Sequence, residues 1–438
     1  MKIRISERSK KIAKRFLIFS FILVFTQFIF KYFFDEKIKE NIKFWIDDNI
    51  NYRVDIAQKA LTTDKTDLSR YYNDYNEEFL PETQVNKLKL KLKKLNFIRT
   101  SQLRFLEENP YGNDLLSFYI EILDKKNLLI VDSRGKTFLI EDLNKKDSFE
   151  EEDVIIIENN LSLERVLDSY IYKDKIFISY ETDKDGCKKY NISSASFNKN
   201  NLTFKPFFKD ENCKDLINSG RMQRYSLSGK EGLLFAVSAA MYDQPNQEPQ
   251  DEKSMFGKII FKEFKSGRVK VFSKGHRLIL GLLVDQDLIL STENGPWGGD
   301  EINKIEYKGN YGWPISSYGQ RYDADSEDDI LSYKPSHSSF GFNEPIFSFL
   351  PSIGISEIIK IPNDFLTNWV DNFIISSLNK GSLFRVKFDN DFSKILFKEE
   401  IFIGKRIRDI IYSKNNRMIF LAEESENPTI SLISVKNK

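Results

Sequence analysis

Beyond residue 95, the apolar positions are grouped in short runs that are separated by turn residues. Representative runs, rich in Ile, Val, Phe and Tyr, are SFYIEIL (117–123), NLLIVDS (127–133), KIFISYE (175–181), DLILST (287–292), SLFRVKF (382–388) and TISLISV (429–435). Short apolar runs bounded by Gly, Asn, Asp or Lys predict β-strands. Hairpin connections are predicted at Lys125-Lys126-Asn127, Ser133-Arg134-Gly135 and Asp389-Asn390-Asp391.

The number and spacing of these runs predict the architecture. About 20 strands over some 340 residues are too many for one sandwich, whereas six four-stranded blades of roughly 57 residues accommodate them. No pattern of a long helix interrupts the runs, and the blades share no crisp internal repeat. We predict an all-β fold, a six-bladed β-propeller over residues 96–438, preceded by an N-terminal transmembrane helix and a short helical stalk.

Residues 35–95 are polar, with apolar positions at helical spacing. These positions are Ile38, Ile42, Trp45, Ile46, Val54, Ala57 and Leu61. The pattern predicts a helical stalk over this segment. Its Trp and Tyr side chains could lie at a membrane surface or pack on the following domain, and the sequence leaves both arrangements open.

The first 34 residues predict a membrane anchor. Residues 1–15 contain seven Lys or Arg and one Glu, and the apolar segment 16–34 is interrupted by Ser20, Thr26, Gln27 and Lys31. Its length is close to the roughly 20 residues that span a bilayer, and no small-residue cleavage site follows. This favours an uncleaved signal anchor over a removed signal peptide, and over a buried core helix. The basic flank should stay cytoplasmic, so that the main domain is periplasmic or extracellular.

Charge and cysteine content narrow the function classes. The chain has 66 Lys and Arg against 65 Asp and Glu, a formal net charge of +1, so no overall positive field would recruit nucleic acid. Cys187 and Cys213 lie in the part of the chain predicted to be exported, which favours a disulfide over two unpaired buried thiols. Neither of the two histidines, His276 and His337, is near the cysteines in sequence, which disfavours a metal site there.

Glycines are concentrated in one motif. The chain has 20 Gly in 438 residues, and five of them lie in ENGPWGGDEINKIEYKGNYGWP (293–314), directly after the predicted strand DLILST. The motif predicts a loop at one end of a blade. Glycines allow backbone carbonyls to turn inward, and such oxygens suit a hard cation such as calcium.

This motif resembles the signature of the glucose/sorbosone dehydrogenase family, six-bladed propellers that oxidise sugars with pyrroloquinoline quinone (PQQ) and calcium. Further matches follow in the same order: KGHRLILGL (274–282), EPIFSFLPSIGISEI (344–358), SLNKGSLFRVKF (377–388) and GKRIRDI (404–410). The resemblance implies that the carbonyls of Gly295 and Pro296 hold the cofactor's calcium and that Glu301 and Tyr311 belong to a second calcium site. The alternative is that the motif only makes a tight, well-packed turn.

The resemblance also implies cations for the three carboxylates of PQQ, because a guanidinium provides a planar fork for a carboxylate. Arg277, Arg406 and Arg408 match cofactor- or substrate-contacting positions of the family. Lys380 lies one place away from the position at which a Lys contacts the cofactor. Taken singly, an Arg on a strand is more often a surface residue.

The chain departs from the family at the catalytic base. The family carries an Asp-His pair before a GRL-like strand, and its His takes the proton of the sugar hydroxyl during hydride transfer. The matching stretch DLINSGRM (215–222) has Leu216 and Ile217 there, and neither side chain accepts a proton. The Asn that follows the Arg in the family's GHRN motif is Leu278. His276 is itself a family position outside the base role, and the spacing of Tyr225, Asp215 and Asp243 does not support them as substitutes.

Two hypotheses follow. The first is a membrane-anchored, PQQ-dependent sugar or alcohol dehydrogenase with rearranged acid-base chemistry. The second is a non-catalytic propeller that serves as a carbohydrate- or protein-binding or sensory module outside the membrane. The glycine-rich loop and the arginines favour the first hypothesis, and Leu216, Ile217 and Leu278 favour the second. A sugar-like ligand is compatible with both.

Overall fold

The described residues form six β-sheets arranged as the blades of one propeller. The structure, a computed structural model, describes residues 116–435 apart from 144–152, 214–216, 239–247, 297, 321–335, 367–368, 416 and 426–427, together with the backbone of two earlier strands, Glu78–Leu80 and Leu90–Leu95. Within these residues there is no α-helix, and Ser338–Phe340 form a 3₁₀ turn. The predicted all-β, six-bladed architecture is confirmed.

The first three blades follow the chain from residue 118 to residue 274. Blade 1 contains β3 (Phe118–Leu123), β4 (Asn127–Asp132), β5 (Thr137–Ile140), β6 (Val154–Asn159) and, parallel to β6, β10 (Asn201–Leu202). Blade 2 contains β7 (Arg165–Tyr172), β8 (Lys175–Lys184), β9 (Cys187–Ser196) and β11 (Lys205–Lys209). Blade 3 contains β12 (Met222–Leu227), β13 (Lys230–Val237), β14 (Lys258–Glu263) and β15 (Val269–Lys274).

The other three blades complete the ring. Blade 4 contains β16 (Ile279–Asp285), β17 (Leu288–Glu293), β18 (Asp300–Lys304) and β19 (Phe347–Phe349). Blade 5 contains β20 (Ile355–Lys360), β21 (Asn372–Ser377), β22 (Ser382–Phe388) and β23 (Ile395–Phe402). Blade 6 contains β24 (Arg406–Ser413), β25 (Met418–Glu424), β26 (Ile430–Val435), β2 (Leu90–Leu95) and β1 (Glu78–Leu80).

Blade 6 joins the two ends of the propeller. Strand β2 pairs antiparallel with β26, so that Leu90 lies opposite Val435 and Leu95 lies opposite Ile430. Strands β1 and β2 fall inside the segment that was predicted as a helical stalk, so the sheet begins before the predicted boundary at residue 96. The predicted anchor and the rest of the stalk lie outside the described residues. Among the described residues, no helix is long and apolar enough to cross a membrane.

The core lies between neighbouring blades. For example, Phe118 and Ile130 of blade 1 pack against Phe420 and Leu432 of blade 6. Middle strands therefore have both faces buried, as in β21, where all six residues are buried. The outer strand β23 instead alternates between half-buried and exposed positions over most of its length. Every run quoted above coincides with a strand, because strands buried on both faces give short continuous apolar runs.

The predicted hairpins and the predicted disulfide are both present. Asp124 and Lys125 have φ angles of 50° and 63° in the turn between β3 and β4, as the two central residues of a type I′ turn require. Cys187, at the start of β9, is bonded to Cys213, which follows β11, with a Cα–Cα distance of 4.9 Å. The disulfide connects the end of the segment that follows β11 to the start of β9.

A single arginine, Arg221, extends into the centre of the ring, where it is 5% exposed. Its Nη1 lies 2.9 Å from Asp168 Oδ1, 2.8 Å from Glu357 Oε2 and 2.9 Å from Asp409 Oδ1. These carboxylates come from β7, β20 and β24, the innermost strands of three blades. Burial raises the pKa of Asp168 well above its usual range although Arg221 acts against it. Burial likewise raises the pKa of Glu357 to about 7.

The remaining atoms of this guanidinium contact the other blades. Nε donates to the carbonyl of Leu280 in β16 at 2.7 Å, and Nη2 donates to the carbonyl of Arg408 in β24 at 2.8 Å. The guanidinium carbon lies 5.4 Å from the ring centroid of Tyr119 in β3. Since Arg221 directly precedes β12, its side chain connects the innermost strands of all six blades.

Candidate functional site

The predicted site residues lie at one end of the propeller, which we call the upper face. In an antiparallel blade, the start of the innermost strand, the end of the second and the start of the third lie at the same end. Arg277 precedes β16, Gly295 and Pro296 follow β17, and Lys380 lies between β21 and β22. Arg406 and Arg408 lie at the start of β24. The topology therefore brings segments that are far apart in sequence to this one face.

The glycine-rich loop after β17 depends on close backbone approaches. A Cβ on Gly295 would lie 2.4 Å from the carbonyl oxygens of Gly298 and Gly299, a distance that real Cβ atoms do not show. Gly298 and Gly299 have φ angles of 85° and 68°, which favour glycine. Asp300 Oδ1 accepts a hydrogen bond from the amide of Gly295 at 3.0 Å. The loop is therefore shaped by its own residues.

Asp300 also fastens the loop to blade 5. Its Oδ2 accepts hydrogen bonds from the amides of Ile353 and Ile355, each at 2.9 Å. Asp300 has an exposed fraction of 0%, and burial raises the pKa of its carboxyl group, against the effect of these hydrogen bonds. The Asp300 carboxylate thus holds the glycine-rich loop of blade 4 against the start of β20, the innermost strand of blade 5.

Arg277 is directed at the glycine-rich loop and not at open solvent. Its Nη1 donates to the carbonyls of Asn294 and Gly295 at 2.7 and 2.8 Å. The residue is 8% exposed, and its guanidinium carbon lies 5.3 Å from the centroid of Trp313. Its own amide donates to Glu293 Oε2 at 3.2 Å. The carbonyl of Gly295, which the family resemblance assigns to calcium, therefore accepts a hydrogen bond from Arg277.

The two residues assigned to a second calcium contact His337. The Nε2 of His337 lies 3.1 Å from Glu301 Oε1, and its Nδ1 lies 3.0 Å from the carbonyl oxygen of Tyr311 and 2.9 Å from Ser316 Oγ. Burial would lower the pKa of His337, but the hydrogen bond to Glu301 raises it above the ordinary value. Burial raises the pKa of Glu301, and His337 acts against that rise. His337 was not predicted to take part in the site.

His276 has a packing role in the structure. Its Nδ1 lies 2.6 Å from Glu293 Oε1, and its Nε2 lies 2.8 Å from Ser273 Oγ. The ring stacks on Tyr311 with centroids 4.6 Å apart, and the residue is 1% exposed. Both ring nitrogens are therefore engaged inside the protein, and the imidazole cannot reach a substrate.

One small cavity brings together Arg277 and all four residues that were assigned to metal binding. Gly295, Pro296, Glu301 and Tyr311 line it with Arg277, and His337 and Glu293 complete its polar wall. Its volume of about 20 Å³ is sufficient for one water molecule. The residues that the resemblance assigns to calcium are therefore neighbours in space.

Arg406 and Arg408 share a carboxylate that the sequence reasoning missed. Arg406 donates to Glu424 Oε1 from Nε at 3.0 Å and from Nη2 at 2.7 Å, and its Nη1 donates to Asn379 at 2.9 Å. Arg408 donates to Glu424 Oε2 from Nε at 2.7 Å and also pairs with it through Nη2. Although burial acts in the opposite direction, Arg408 and Arg406 lower the pKa of Glu424.

This cluster keeps a positive charge at the upper face. Two guanidinium groups face one carboxylate, and the side chains of Arg406 and Arg408 are 35% and 14% exposed. Lys380 is half-buried in the adjacent segment that carries Asn379. An anionic ligand at this position would contact two guanidinium groups whose positive charge is only partly compensated by Glu424. The strand register could have indicated Glu424, since Arg406 lies directly opposite it.

The position of the family's base is apolar and fully enclosed. Ile217 has an exposed fraction of 0% and packs in a hydrophobic cluster with Met222, Val237, Phe256 and Trp313. Leu278, the second apolar replacement, is half-buried beside Arg277. Leu216, Asp215 and Asp243 lie outside the described residues.

Tyr225, the remaining described candidate for a substitute base, packs away from the upper face. Its ring makes edge contacts with Phe261 and Phe272, at centroid distances of 6.4 and 5.4 Å, between blades 3 and 4. It lies in the fourth position of β12, whose start is at the upper face. Of the candidate substitutes that the structure describes, neither His276 nor Tyr225 therefore places a proton acceptor at the position of Ile217.

Comparisons with known proteins agree with the six-bladed propeller fold. The family model described as glucose/sorbosone dehydrogenase matches residues 116–431. An uncharacterised protein of Synechocystis is 27% identical over 203 residues, which are 43% of this chain and 48% of that protein. An aldose sugar dehydrogenase of Escherichia coli is 24% identical over 232 residues, which are 48% of this chain and 58% of that protein. The matches thus span about half the length of these two relatives.

A solved structure shares the fold over most of its length. The PQQ-bound form of an aldose sugar dehydrogenase from Streptomyces coelicolor superposes with a TM-score of 0.54 at 16% identity, and the match covers 80% of this chain and 99% of that chain. At this identity the likeness establishes the propeller fold alone.

Proposed function

Because this chain belongs to the glucose/sorbosone dehydrogenase family, we propose that it is a membrane-anchored, extracytoplasmic sugar dehydrogenase-like protein in which base-assisted oxidation of sugars is lost. Its upper face binds an anionic ligand, and PQQ is the candidate that the family suggests. The observation that carries the proposal is the environment of Ile217, which is fully buried among apolar side chains.

The loss follows from the proton balance of sugar oxidation. The chemistry that PQQ supplies in such a site is acceptance of a hydride from the sugar carbon, and the hydroxyl proton must then go to a protein base. A positioned base typically contributes roughly 10² to 10⁴ in rate. The side chain of Ile217 cannot take a proton, and its apolar surroundings exclude the water that could replace one.

The charges of the upper face fit an anion. Arg406 and Arg408 are held in place by Glu424, and together the three side chains leave one net positive charge. Lys380 is half-buried in the neighbouring segment. These residues would hold the carboxylates of a planar polyanion by charge-assisted hydrogen bonds. Binding should therefore outlast catalysis.

The test uses the full chain purified in detergent. With PQQ and calcium added, we expect dye-linked oxidation of glucose and other aldoses to be undetectable, while the absorbance of PQQ changes in a saturable way. Arg408→Met should weaken that binding, and the exposed Arg268→Met should leave it unchanged as a control. The double variant Leu216→Asp with Ile217→His should raise any residual oxidation rate.

Two results would separate the candidate functions. Robust sugar oxidation by the unmodified chain would overturn the proposal and would indicate a base that has not been located. Absence of PQQ binding would favour the second candidate, a carbohydrate- or protein-binding or sensory module. That candidate is supported by the engagement of Arg277 with backbone carbonyls and of both other arginines with Glu424.

A further inference from the structure

The family resemblance assigns Gly295, Pro296, Glu301 and Tyr311 to calcium, and three of these four residues have an oxygen atom in contact with a basic side chain. Arg277 donates to the carbonyl of Gly295, and His337 lies against both Glu301 and the carbonyl of Tyr311. We propose that Arg277 and His337 replace the two calcium ions, so that the loop 293–301 and the segment 311–316 assemble without metal. This inference does not depend on the fate of catalysis, because it concerns folding and metal binding.

At the first position, Arg277 and a calcium ion would compete for one carbonyl oxygen. Arg277 Nη1 lies 2.8 Å from the Gly295 oxygen, and calcium would have to approach the same atom within about 2.3–2.6 Å. The ion and the guanidinium would then lie within about 5 Å of each other in a buried place, where like charges repel more strongly than in water. The guanidinium already supplies a positive charge to the carbonyls of Asn294 and Gly295.

At the second position, the imidazole ring of His337 lies between the two residues assigned to calcium. Its two nitrogens point in different directions, and each contacts an oxygen atom of one of these residues. The carboxylate of Glu301 and the carbonyl of Tyr311 therefore lie towards different edges of the ring. One ion could bind both oxygens only after His337 had moved out.

The cavity between the two positions leaves little room and little charge for a hydrated divalent ion. Its volume of about 20 Å³ holds one water molecule or one bare ion, but not the further waters that would complete a shell of six to eight oxygen ligands. Its two carboxylates are already paired, Glu293 with His276 and Glu301 with His337. Asn303 adds a hydrogen bond to each of them, at 3.2 and 3.3 Å.

The first experiment measures the unmodified full chain in detergent after treatment with EDTA. We expect its melting temperature, followed by tryptophan fluorescence, to differ by less than about 1 °C between 1 mM EDTA and 1 mM CaCl₂ at matched ionic strength. A folded-state site with a dissociation constant of about 10 μM would raise it by roughly 3–6 °C. Such a rise, or a one-site calorimetric isotherm that Glu301→Gln abolishes, would overturn the proposal.

The second experiment removes the guanidinium. Arg277→Met keeps most of the side-chain volume but leaves the carbonyls of Asn294 and Gly295 without their donor, so that in EDTA it should melt several degrees below the unmodified chain. The matched control is Arg268→Met, at the exposed hairpin between β14 and β15, which should melt within about 1 °C of it. An Arg277→Met variant that melts like the control would contradict the assigned role. If this variant does not fold, the calcium measurement on the unmodified chain decides.

Discussion

Arg221 and Arg277 are both buried arginines, with exposed fractions of 5% and 8%, but the protein compensates their charges in different ways. Arg221 faces carboxylates from three other blades. Arg277 faces two peptide carbonyls of its own blade. Ionisable partners connect distant parts of the ring and respond to pH, whereas peptide carbonyls shape one loop and do not titrate. Arg221 therefore holds the blades of the ring together, whereas Arg277 shapes one loop of the upper face.

Removal of Arg221 should produce the largest effect on stability. Arg221→Met leaves Asp168, Glu357 and Asp409 buried without their shared cation, and the loss of one partner from a buried ion pair typically costs about 3–5 kcal/mol. The measurement is the free energy of unfolding in urea, with Arg268→Met as the exposed control. A loss below about 1 kcal/mol would show that the axial arginine is dispensable and that the comparison is wrong.

The pH dependence of stability should distinguish the two arginines further. Glu357 has a pKa of about 7 in the folded protein, above its ordinary value, and it faces Glu121, Asp168, Asp409 and Arg221. A carboxyl group whose folded pKa is raised stabilises the protein at low pH, and this contribution is lost as the pH rises through the folded pKa. His337, whose pKa is also raised, acts in the same direction.

We therefore expect the free energy of unfolding to fall by about 2–3 kcal/mol between pH 5.5 and pH 8. Glu357→Gln should flatten this slope, because it removes the titrating group from the axial cluster, whereas Arg277→Met should leave the slope unchanged. Thermal or urea unfolding at several pH values measures both. Stability that increases with pH over this range would contradict the folded-state pKa of Glu357.

The smallest effect is expected at Glu424, which combines features of both arginine sites. It compensates Arg406 and Arg408 with an ionised carboxylate, but these three residues belong to one blade. Glu424→Gln should strengthen the binding of PQQ about five- to tenfold at low salt, because about 1 kcal/mol of opposing charge is removed. The gain should shrink as salt is added. Unchanged affinity at low salt would mean that the anion does not bind near these arginines.

The sequence predicted the middle strands better than the innermost ones, and the reason is physical. β4 and β21 are buried on both faces and contain the continuous apolar stretches LLIV and FII. β7 and β12 carry or adjoin the polar groups of the axis, such as Asp168 and Arg221, so their patterns resemble those of loops. The pairing of β2 with β26 could not be read from either strand alone, since more than 300 residues separate them.

The sequence motifs indicated candidate residues for the site but not their contacts. The glycine-rich motif supplied Gly295, Pro296, Glu301 and Tyr311, the separate motif 274–282 supplied Arg277, and in the structure all five line one cavity. The partner of Arg277 depends on where the folded loop turns its carbonyls, which no residue spacing specifies. His337 lies 36 positions from Glu301 and reaches it only through the packing of a separate segment.

The pairing of β2 with β26 also sets an order of events during synthesis. Residues 90–95 leave the ribosome long before residues 430–435, so β2 must wait for its partner until nearly the whole propeller has been made. Contacts of such sequence separation form late, because a long chain segment must first be brought into place. Until then, β2 can pair with β1 on one side only, and its other edge is unpaired, the kind of surface on which chains associate with one another. A chaperone that covers residues 90–95 would therefore raise the yield of closed propellers without taking part in the finished structure.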